Sequence, residues 1–247
     1  AYTARKNVLK PQIDAAIAAG YPGVTEYETL YNNADATPEA LTEAAEELAA
    51  AVLAYSYDSA TPENPMDVTS LMQSPSFVDA NGSATTSGWA TWRATSNNNF
   101  QAQAGRPGVA VTTDGSDHPS FFERWTPTGT PHGDYYVQQT ITDMPDGKYA
   151  LSAYIMTNQT ADNGGAKGLF IYGSSLTGEV ATEATHASQD GNAYAAPYTV
   201  EFTVLGGQAT VGMRASGYAG NWSYVADFTL KYLGADDSKT LQQVLQQ

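Results

Sequence analysis

The chain has 247 residues, 42% of them hydrophobic, which is enough for one large domain or two unequal ones with at least one sizeable core. A formal net charge of −15 disfavours nucleic acid and anionic membrane surfaces as partners. The chain contains no cysteine, which excludes disulfides, thiol nucleophiles and cysteine-ligated zinc.

The first sixty residues predict three short amphipathic helices packed as an antiparallel bundle. Thr3 is expected to cap the first helix, which ends near Gly20. Thr25 and Glu28 match a T-x-x-E capping box at the start of the second helix. Thr37 is expected to cap the third helix, with Pro38 at its first position. The apolar stripe of that helix is Leu41, Ala45, Leu48, Val52 and Tyr55.

A turn-rich stretch, DSATPENPM at 58–66, separates the predicted bundle (1–60) from a strand-rich region (67–234). Strands are predicted at 135–142, 148–157, 168–172, 198–205, 208–214 and 224–232. Turn residues at 144–147 and at 206–207 predict two β-hairpins. Many short strands without a long helix indicate a mainly β protein, an antiparallel β-sandwich. Residues 235–247 predict the start of a further helix or helical unit.

Three sequence segments of the strand-rich region resemble motifs of galactose-binding-like carbohydrate-binding modules. The segment SPSF at 74–77 followed by Gly88-Trp89 resembles their N-P-S-F-E phrase leading into G-W, with Ser74 in place of Asn and Val78 in place of Glu. The segment YVQQTITDMPDGKY at 136–149 resembles their Q-x-L-x-G-L-P-x-G-x-Y hairpin, and GNWSYVADFTL at 220–230 resembles their final strand. The resemblance implies a jelly-roll β-sandwich.

The same resemblance carries expectations about context. A helical bundle in front of such a sandwich is similar to modules on exported glycan-degrading proteins of gut Bacteroidetes. This implies a secreted or cell-surface bacterial protein whose ligand is a polysaccharide or oligosaccharide, with a catalytic domain in the same parent chain. Members of the wider group commonly hold one structural calcium, for which Asp227 matches the carboxylate ligand. Phe77 or Asp79 is then expected to add a carbonyl or carboxylate oxygen.

The residues themselves do not predict catalysis. His118, His132 and His186 lie in unrelated contexts without metal-binding spacing, and no nucleophile elbow, phosphate-binding loop or dinucleotide fingerprint is present. Glycoside hydrolysis needs two carboxylates about 5 to 10 Å apart, and spacing along the chain does not reveal such a pair. A non-catalytic protein is therefore expected.

The aromatic composition favours sugar binding, since 16 Tyr and 4 Trp accompany only 7 Phe. A sugar ring packs its C–H face on an aromatic ring, and its hydroxyls pair with planar polar groups. Three clusters, at 89–93, 121–125 and 218–222, contain both aromatic rings and planar polar side chains. Within them, Trp89 is expected to lie in the core, and Trp222 fits either a core or a binding role. The predicted ligand-binding residues are Trp125, Arg124, Glu123, Trp92, Tyr218, Asn221 and Trp222.

These observations favour a carbohydrate-binding module that holds a linked enzyme or surface protein at a polysaccharide. Three alternatives make distinct predictions. A structural spacer predicts that Trp92, Trp125 and Trp222 are all buried. A protein-binding adhesin domain predicts a broad flat aromatic patch, and a catalytic domain predicts two facing carboxylates in a cleft.

Overall fold

The computed structural model describes residues 2–96, 99–109, 111–112, 115–189 and 192–236. The chain divides into two compact units, residues 1–66 and 67–247. The predicted C-terminal helix falls mainly on residues 237–247, which lie outside the described residues. Within the described ranges, no helix has the length and apolar character needed to cross a membrane.

The first unit is helical. Its first helix runs continuously through α1 (Tyr2–Ala4), a π-helical turn (Arg5–Leu9) and α2 (Lys10–Ala18), and is followed by α3 (Thr25–Asn32) and the long α4 (Pro38–Ser59). Leu9 and Ile13 from the first helix and Leu41 and Leu48 from α4 form its buried core. The predicted stripe of α4 therefore faces the core, as its spacing indicates.

The three predicted helix caps have different outcomes. The Thr37 hydroxyl accepts a hydrogen bond from Ala40 N at 3.1 Å, so the cap of α4 is confirmed. The capping box is wrong, because α3 already includes Thr25 and is preceded by Val24 in a helical conformation. The cap at Thr3 is also wrong, since this residue lies inside α1.

The second unit is an antiparallel β-sandwich with two short 3₁₀ turns, Thr69–Leu71 and Ala161–Asn163. Its strands are β1 (Met66–Asp67), β2 (Ala90–Arg93), β3 (Phe100–Gln103), β4 (Phe121–Trp125), β5 (Tyr135–Ile141), β6 (Gly147–Thr157), β7 (Leu169–Ser175), β8 (Gly178–Glu183), β9 (Tyr194–Val204), β10 (Ala209–Ala215) and β11 (Trp222–Gly234). The first sheet has the order β3-β4-β11-β6-β9 with β1 also paired to β11, and the second has the order β2-β5-β10-β7-β8. The predicted fold class, a mainly β sandwich preceded by helices, is confirmed.

The two predicted hairpins are wrong. The turn at 144–147 joins β5 of the second sheet to β6 of the first, and the turn at 206–207 joins β9 of the first sheet to β10 of the second. Both turns therefore cross between sheets, as in a jelly roll. They lie side by side, because Met144 N donates to Gly207 O at 3.0 Å and Gly207 N donates to Asp146 Oδ1 at 3.1 Å.

The core is built from side chains that point inward at every second position along the strands. The predicted inward face of β6, formed by Tyr149, Leu151, Ala153 and Ile155, is at most 1% exposed. Trp89 is buried between the rings of Phe77 and Phe228, at a centroid distance of 4.9 Å from each. The prediction that Trp89 belongs to the core is confirmed.

Strand β9 ends the first sheet, and side chains of the second sheet bond to its carbonyl groups. The hydroxyls of Ser175 and Thr177 donate to Thr203 O at 2.6 and 2.9 Å. The hydroxyl of Thr182 donates to Thr199 O at 2.9 Å. Hydroxyl groups thus join the two sheets along this side of the sandwich.

Candidate functional site

A row of large side chains crosses the outer face of the second sheet. Strand register places Trp92 opposite Tyr136, Tyr136 opposite Arg214, and Arg214 opposite Phe170. The inward neighbours on β5, β10 and β7 are buried, so alternation directs these four residues outward. The row spans three inter-strand spacings, about 14 Å. We call this surface the aromatic row.

Trp92 is the open end of the aromatic row. It is 49% exposed, and its ring stacks on Tyr136 with an interplanar angle of 22° and a centroid distance of 5.9 Å. The cross-strand partner holds the indole in place from one side. An aromatic surface of this kind remains available to a ligand.

The other end of the row is polar and aromatic. The Arg214 guanidinium carbon lies 4.7 Å from the Phe170 ring centroid and 5.5 Å from that of Tyr172. Arg214 Nη2 also bonds to Glu179 Oε1 at 2.9 Å. Contacts with two rings and one carboxylate fix the orientation of this guanidinium.

A glycine lies in the middle of this face. Gly212 lies between Gln138 and Tyr172 in the register, and a Cβ at this position would come 2.3 Å from Val137 O. Above the glycine, the Tyr172 hydroxyl donates to Gln138 Oε1 at 2.5 Å. The middle of this face therefore carries an oriented amide and a phenol on either side of a residue without a side chain.

A second group of predicted residues meets on the outer face of the first sheet. Trp125 of β4 and Trp222 of β11 are direct cross-strand partners. Glu123 lies two residues before Trp125 and so shares its face. We call the recess around these three residues the Trp222 notch. Its two cavities, of ≈ 220 Å³ and ≈ 360 Å³, are both lined by Trp222.

The Glu123 carboxylate is the polar centre of the notch. Its Oε1 accepts hydrogen bonds from Asn99 Nδ2 at 2.9 Å, Gln103 Nε2 at 2.7 Å and Gln101 Nε2 at 3.5 Å. Its Oε2 accepts a longer bond from Trp222 Nε1 at 3.3 Å. The residue is only 6% exposed, and neutral N–H groups surround its carboxylate.

Arg124 does not belong to either surface. Its neighbours Glu123 and Trp125 face outward, so Arg124 faces the interior and is 0% exposed. Its guanidinium donates to Thr95 Oγ1 at 2.8 Å and to the carbonyls of Thr95 and His132, both at 3.2 Å. The prediction of a loop-rim arginine is wrong, since 121–125 forms a strand.

Tyr218 and Asn221 have structural roles. Tyr218 is 3% exposed, and its hydroxyl bonds to Thr157 Oγ1 at 2.7 Å and donates to Trp222 O at 3.0 Å. Asn221 Nδ2 donates to Thr126 O at 2.7 Å. Both side chains hold the loop before β11, and neither contributes a surface to the notch.

Each residue predicted to bind calcium has a hydrogen-bond partner within the chain. His118 Nδ1 bonds to Asp227 Oδ2 at 2.5 Å. Asp79 Oδ1 accepts from Asn81 N and Ser83 N, and Phe77 O accepts from Thr85 N. One oxygen of each predicted ligand therefore already has a partner from the chain. Within the described part of the chain, no group of three or more His, Cys, Asp or Glu is placed to hold a metal. The predicted site also uses carbonyl oxygens, so the structural calcium stays a prediction.

We propose that calcium contributes little to the stability of the folded protein. Because a donor of the chain already bonds one oxygen of each predicted ligand, adding excess EDTA or millimolar calcium should shift the unfolding temperature by less than about 1 °C. Differential scanning calorimetry of the two samples measures this. A calcium-induced rise of several degrees would support the hypothesis of a structural calcium.

Sequence reasoning identified Trp92 but missed its neighbours Tyr136, Arg214 and Phe170. Alternation along residues 135–142 already places Tyr136 on the face opposite Tyr135. The pairing of β5 with β10 and of β10 with β7 is not visible in the sequence, so the row could not be assembled from it.

No protein-family model matches the chain, and no curated protein matches it. Solved structures that match part of the chain include a carbohydrate-binding module in complex with β-1,4-galactotriose, at 17% identity and a TM-score of 0.41, covering 65% of this chain and 96% of that one. A family 16 carbohydrate-binding module matches at 14% identity and a TM-score of 0.40, covering 65% and 98%. A Stig cyclase from Fischerella sp. TAU matches at 12% identity and a TM-score of 0.45, covering 70% and 100%. Both binding modules and an enzyme are thus among the similar structures, and ligand and activity have to be argued from the residues.

Proposed function

We propose that this protein is a non-catalytic carbohydrate-binding module and that the aromatic row is its binding surface. The observation that carries the proposal is the half-exposed Trp92 ring stacked on Tyr136. The C–H face of a pyranose packs on such a ring, a contact worth about 1 kcal/mol.

Polar groups beside the rings support a sugar ligand. The Arg214 guanidinium and the Gln138 amide lie on the same face, and contacts with Phe170, Glu179 and Tyr172 orient them. Fixed planar donors and acceptors pair with sugar hydroxyls at a low cost in conformational entropy. A row about 14 Å long suits a short stretch of a glycan chain.

The alternatives are less well supported. A spacer predicts that all three tryptophans are buried, whereas Trp92 is 49% exposed. An adhesin patch would be more uniformly apolar than a row interrupted by Arg214. On the same face, Glu179 pairs with Arg214 and Glu183 accepts from Gly168 N, so both carboxylates have structural partners. This argues against a pair of catalytic carboxylates there.

A binding surface without catalysis acts by mass action. A module held on a polysaccharide raises the local concentration of any domain linked to it at the same substrate. We therefore propose a secreted or cell-surface bacterial protein in which this module serves a linked enzyme or surface domain. The affinity of a single module for a polysaccharide is expected to be modest, because it comes only from aromatic stacking and a few hydrogen bonds.

Replacing Trp92 by alanine should remove the main stacking surface without disturbing the core. We expect affinity for a retained polysaccharide to fall about tenfold, since truncation of the main aromatic contact costs more than about 1 kcal/mol. Affinity electrophoresis in gels containing galactan, xylan, β-glucan or arabinan measures the retardation.

The matched control is Tyr2→Ala, which removes an exposed ring from the helical unit. This variant should migrate like the wild type in every gel. Equal retardation of wild type and Trp92→Ala would contradict the aromatic row as the site. No retardation of the wild type on any of the polysaccharides would favour the spacer alternative.

A further inference from the structure

We infer that the Trp222 notch is a second ligand site, which takes a single neutral sugar ring, either free or at the end of a chain. The notch lies on the first sheet, whereas the aromatic row lies on the second sheet. The two sites are therefore separate, and the inference does not depend on the proposed function of the aromatic row.

The first argument is the state of the Glu123 carboxylate. The residue is 6% exposed, and the side-chain amides of Asn99, Gln101 and Gln103 donate to its Oε1. Among the residues that the structure describes, Oε2 receives one hydrogen bond, the 3.3 Å bond from the Trp222 indole. A carboxylate oxygen accepts more than one hydrogen bond, so Oε2 retains capacity for hydroxyl donors of a ligand.

The second argument is the combination of groups around Oε2. The smaller cavity is lined by Trp125, Trp222, Glu123, Asn99 and Arg106. Two indoles provide apolar surface for ring C–H groups, the carboxylate accepts from hydroxyls, and the amide and guanidinium lie at the same cavity. Sugars present these complementary features within one ring.

The third argument is size and charge. The smaller cavity, of ≈ 220 Å³, lies below the roughly 300–1,000 Å³ typical of ligand sites, and the larger, of ≈ 360 Å³, lies near the lower end of that range. These volumes favour a single ring over a long chain. The Glu123 carboxylate and the overall charge of −15 oppose a uronate or sulfated sugar.

The fourth argument is that the fold builds the far wall of the notch. Val109 and Val111 line the larger cavity together with Tyr194. Hydrogen bonds to their carbonyl groups attach these valines to the sheet, since Tyr224 Oη donates to Val109 O at 3.4 Å and Ala195 N donates to Val111 O at 3.0 Å. The wall is therefore bonded to β11, which carries Trp222, and to β9.

The experiment follows the indole N–H signals of the 4 tryptophans by two-dimensional NMR of the ¹⁵N-labelled protein. The probes are D-galactose, D-glucose, N-acetyl-D-glucosamine and, as the anionic control, D-galacturonate. At least one neutral sugar should shift the Trp222 signal saturably with a dissociation constant of about 1 mM or weaker. Galacturonate should leave that signal unchanged.

Variants separate this site from the aromatic row. Glu123→Gln keeps the size of the side chain but removes one acceptor, and we expect at least about a fivefold loss of affinity for the sugar that shifts Trp222. Trp125→Ala should weaken the same sugar to a similar degree. Trp92→Ala should leave the shift of Trp222 unchanged.

Two outcomes would overturn the inference. One is the absence of any Trp222 shift with all three neutral sugars up to about 100 mM. The other is an unchanged affinity in both Glu123→Gln and Trp125→Ala, each shown by circular dichroism to be folded. Polysaccharide retardation that depends on Trp92 would survive either outcome, so failure of this inference and failure of the proposed function are distinguishable.

Discussion

Replacement of Arg124 by alanine is expected to lower the free energy of unfolding by about 4 kcal/mol. The guanidinium is fully buried and donates to Thr95, His132 and Asn99, which lie on separate segments around β4. Alanine leaves several buried carbonyl groups without this donor and creates a cavity in the same place. Urea denaturation followed by circular dichroism measures the loss.

Arg124→Lys and Arg106→Ala complete this experiment. Lysine keeps the charge but cannot reach the same set of acceptors with one ammonium, so about 2 kcal/mol should still be lost. Arg106 is exposed, and its truncation should change stability by less than about 0.5 kcal/mol. A loss below about 1 kcal/mol in Arg124→Ala would show that water replaces the guanidinium at these carbonyls.

Stability should also fall as the solution is acidified, because of His132. Burial lowers the pKa of His132 from 6.5 to about 4, with the Arg124 charge acting in the same direction. Above pH 6.5 the ring is neutral in both states and contributes no pH dependence. Between pH 6.5 and 4 the unfolded chain binds a proton that the folded state does not bind, so the folded state loses about 2 kcal/mol by pH 5 and about 3 kcal/mol by pH 4.

Urea unfolding at pH 8, 5 and 4 measures this dependence. The neutral ring is bonded on both sides, by Gly133 O at 3.0 Å from Nδ1 and by Ser223 Oγ at 2.9 Å from Nε2. A folded His132→Gln variant lacks the titrating group and should show a flatter profile. The remaining dependence comes from groups such as His186, whose pKa is also lowered by burial, and Asp67, whose pKa is lowered by a hydrogen bond from the Thr69 backbone. The same slope in wild type and His132→Gln would assign the acid sensitivity to other groups.

Regular alternation and local capping made part of this fold predictable. The inward face of β6 and the Thr37 cap depend on residues close together in the chain, and both are confirmed. The turns at 144–147 and 206–207 were placed correctly, but their residues favour a tight reversal without specifying whether the next strand pairs or crosses to the other sheet. Sheet connectivity depends on long-range pairing, which these local signals do not contain.

The segment 121–125 shows why the candidate site was only partly predictable. Its sequence, FFERW, does not alternate between apolar and polar residues as a half-exposed strand does. The reason is that the outer face of β4 is also covered, since Phe121 packs there with Met156, Tyr224 and Val109. The sequence therefore predicted that this segment lies at the rim of a loop, with Glu123, Arg124 and Trp125 all facing a ligand. In the strand, Glu123 and Trp125 share one face, and Arg124 points to the other.

The hydroxyl bonds along β9 have a consequence for behaviour at high concentration. A strand at the end of a sheet normally exposes backbone groups that recruit a strand from another molecule, the first step of many amyloid-like assemblies. Here Ser175, Thr177 and Thr182 already bind the carbonyls of Thr199 and Thr203, and Pro197 lacks a backbone N–H. This border of the sandwich is thus protected against the addition of a strand from another molecule.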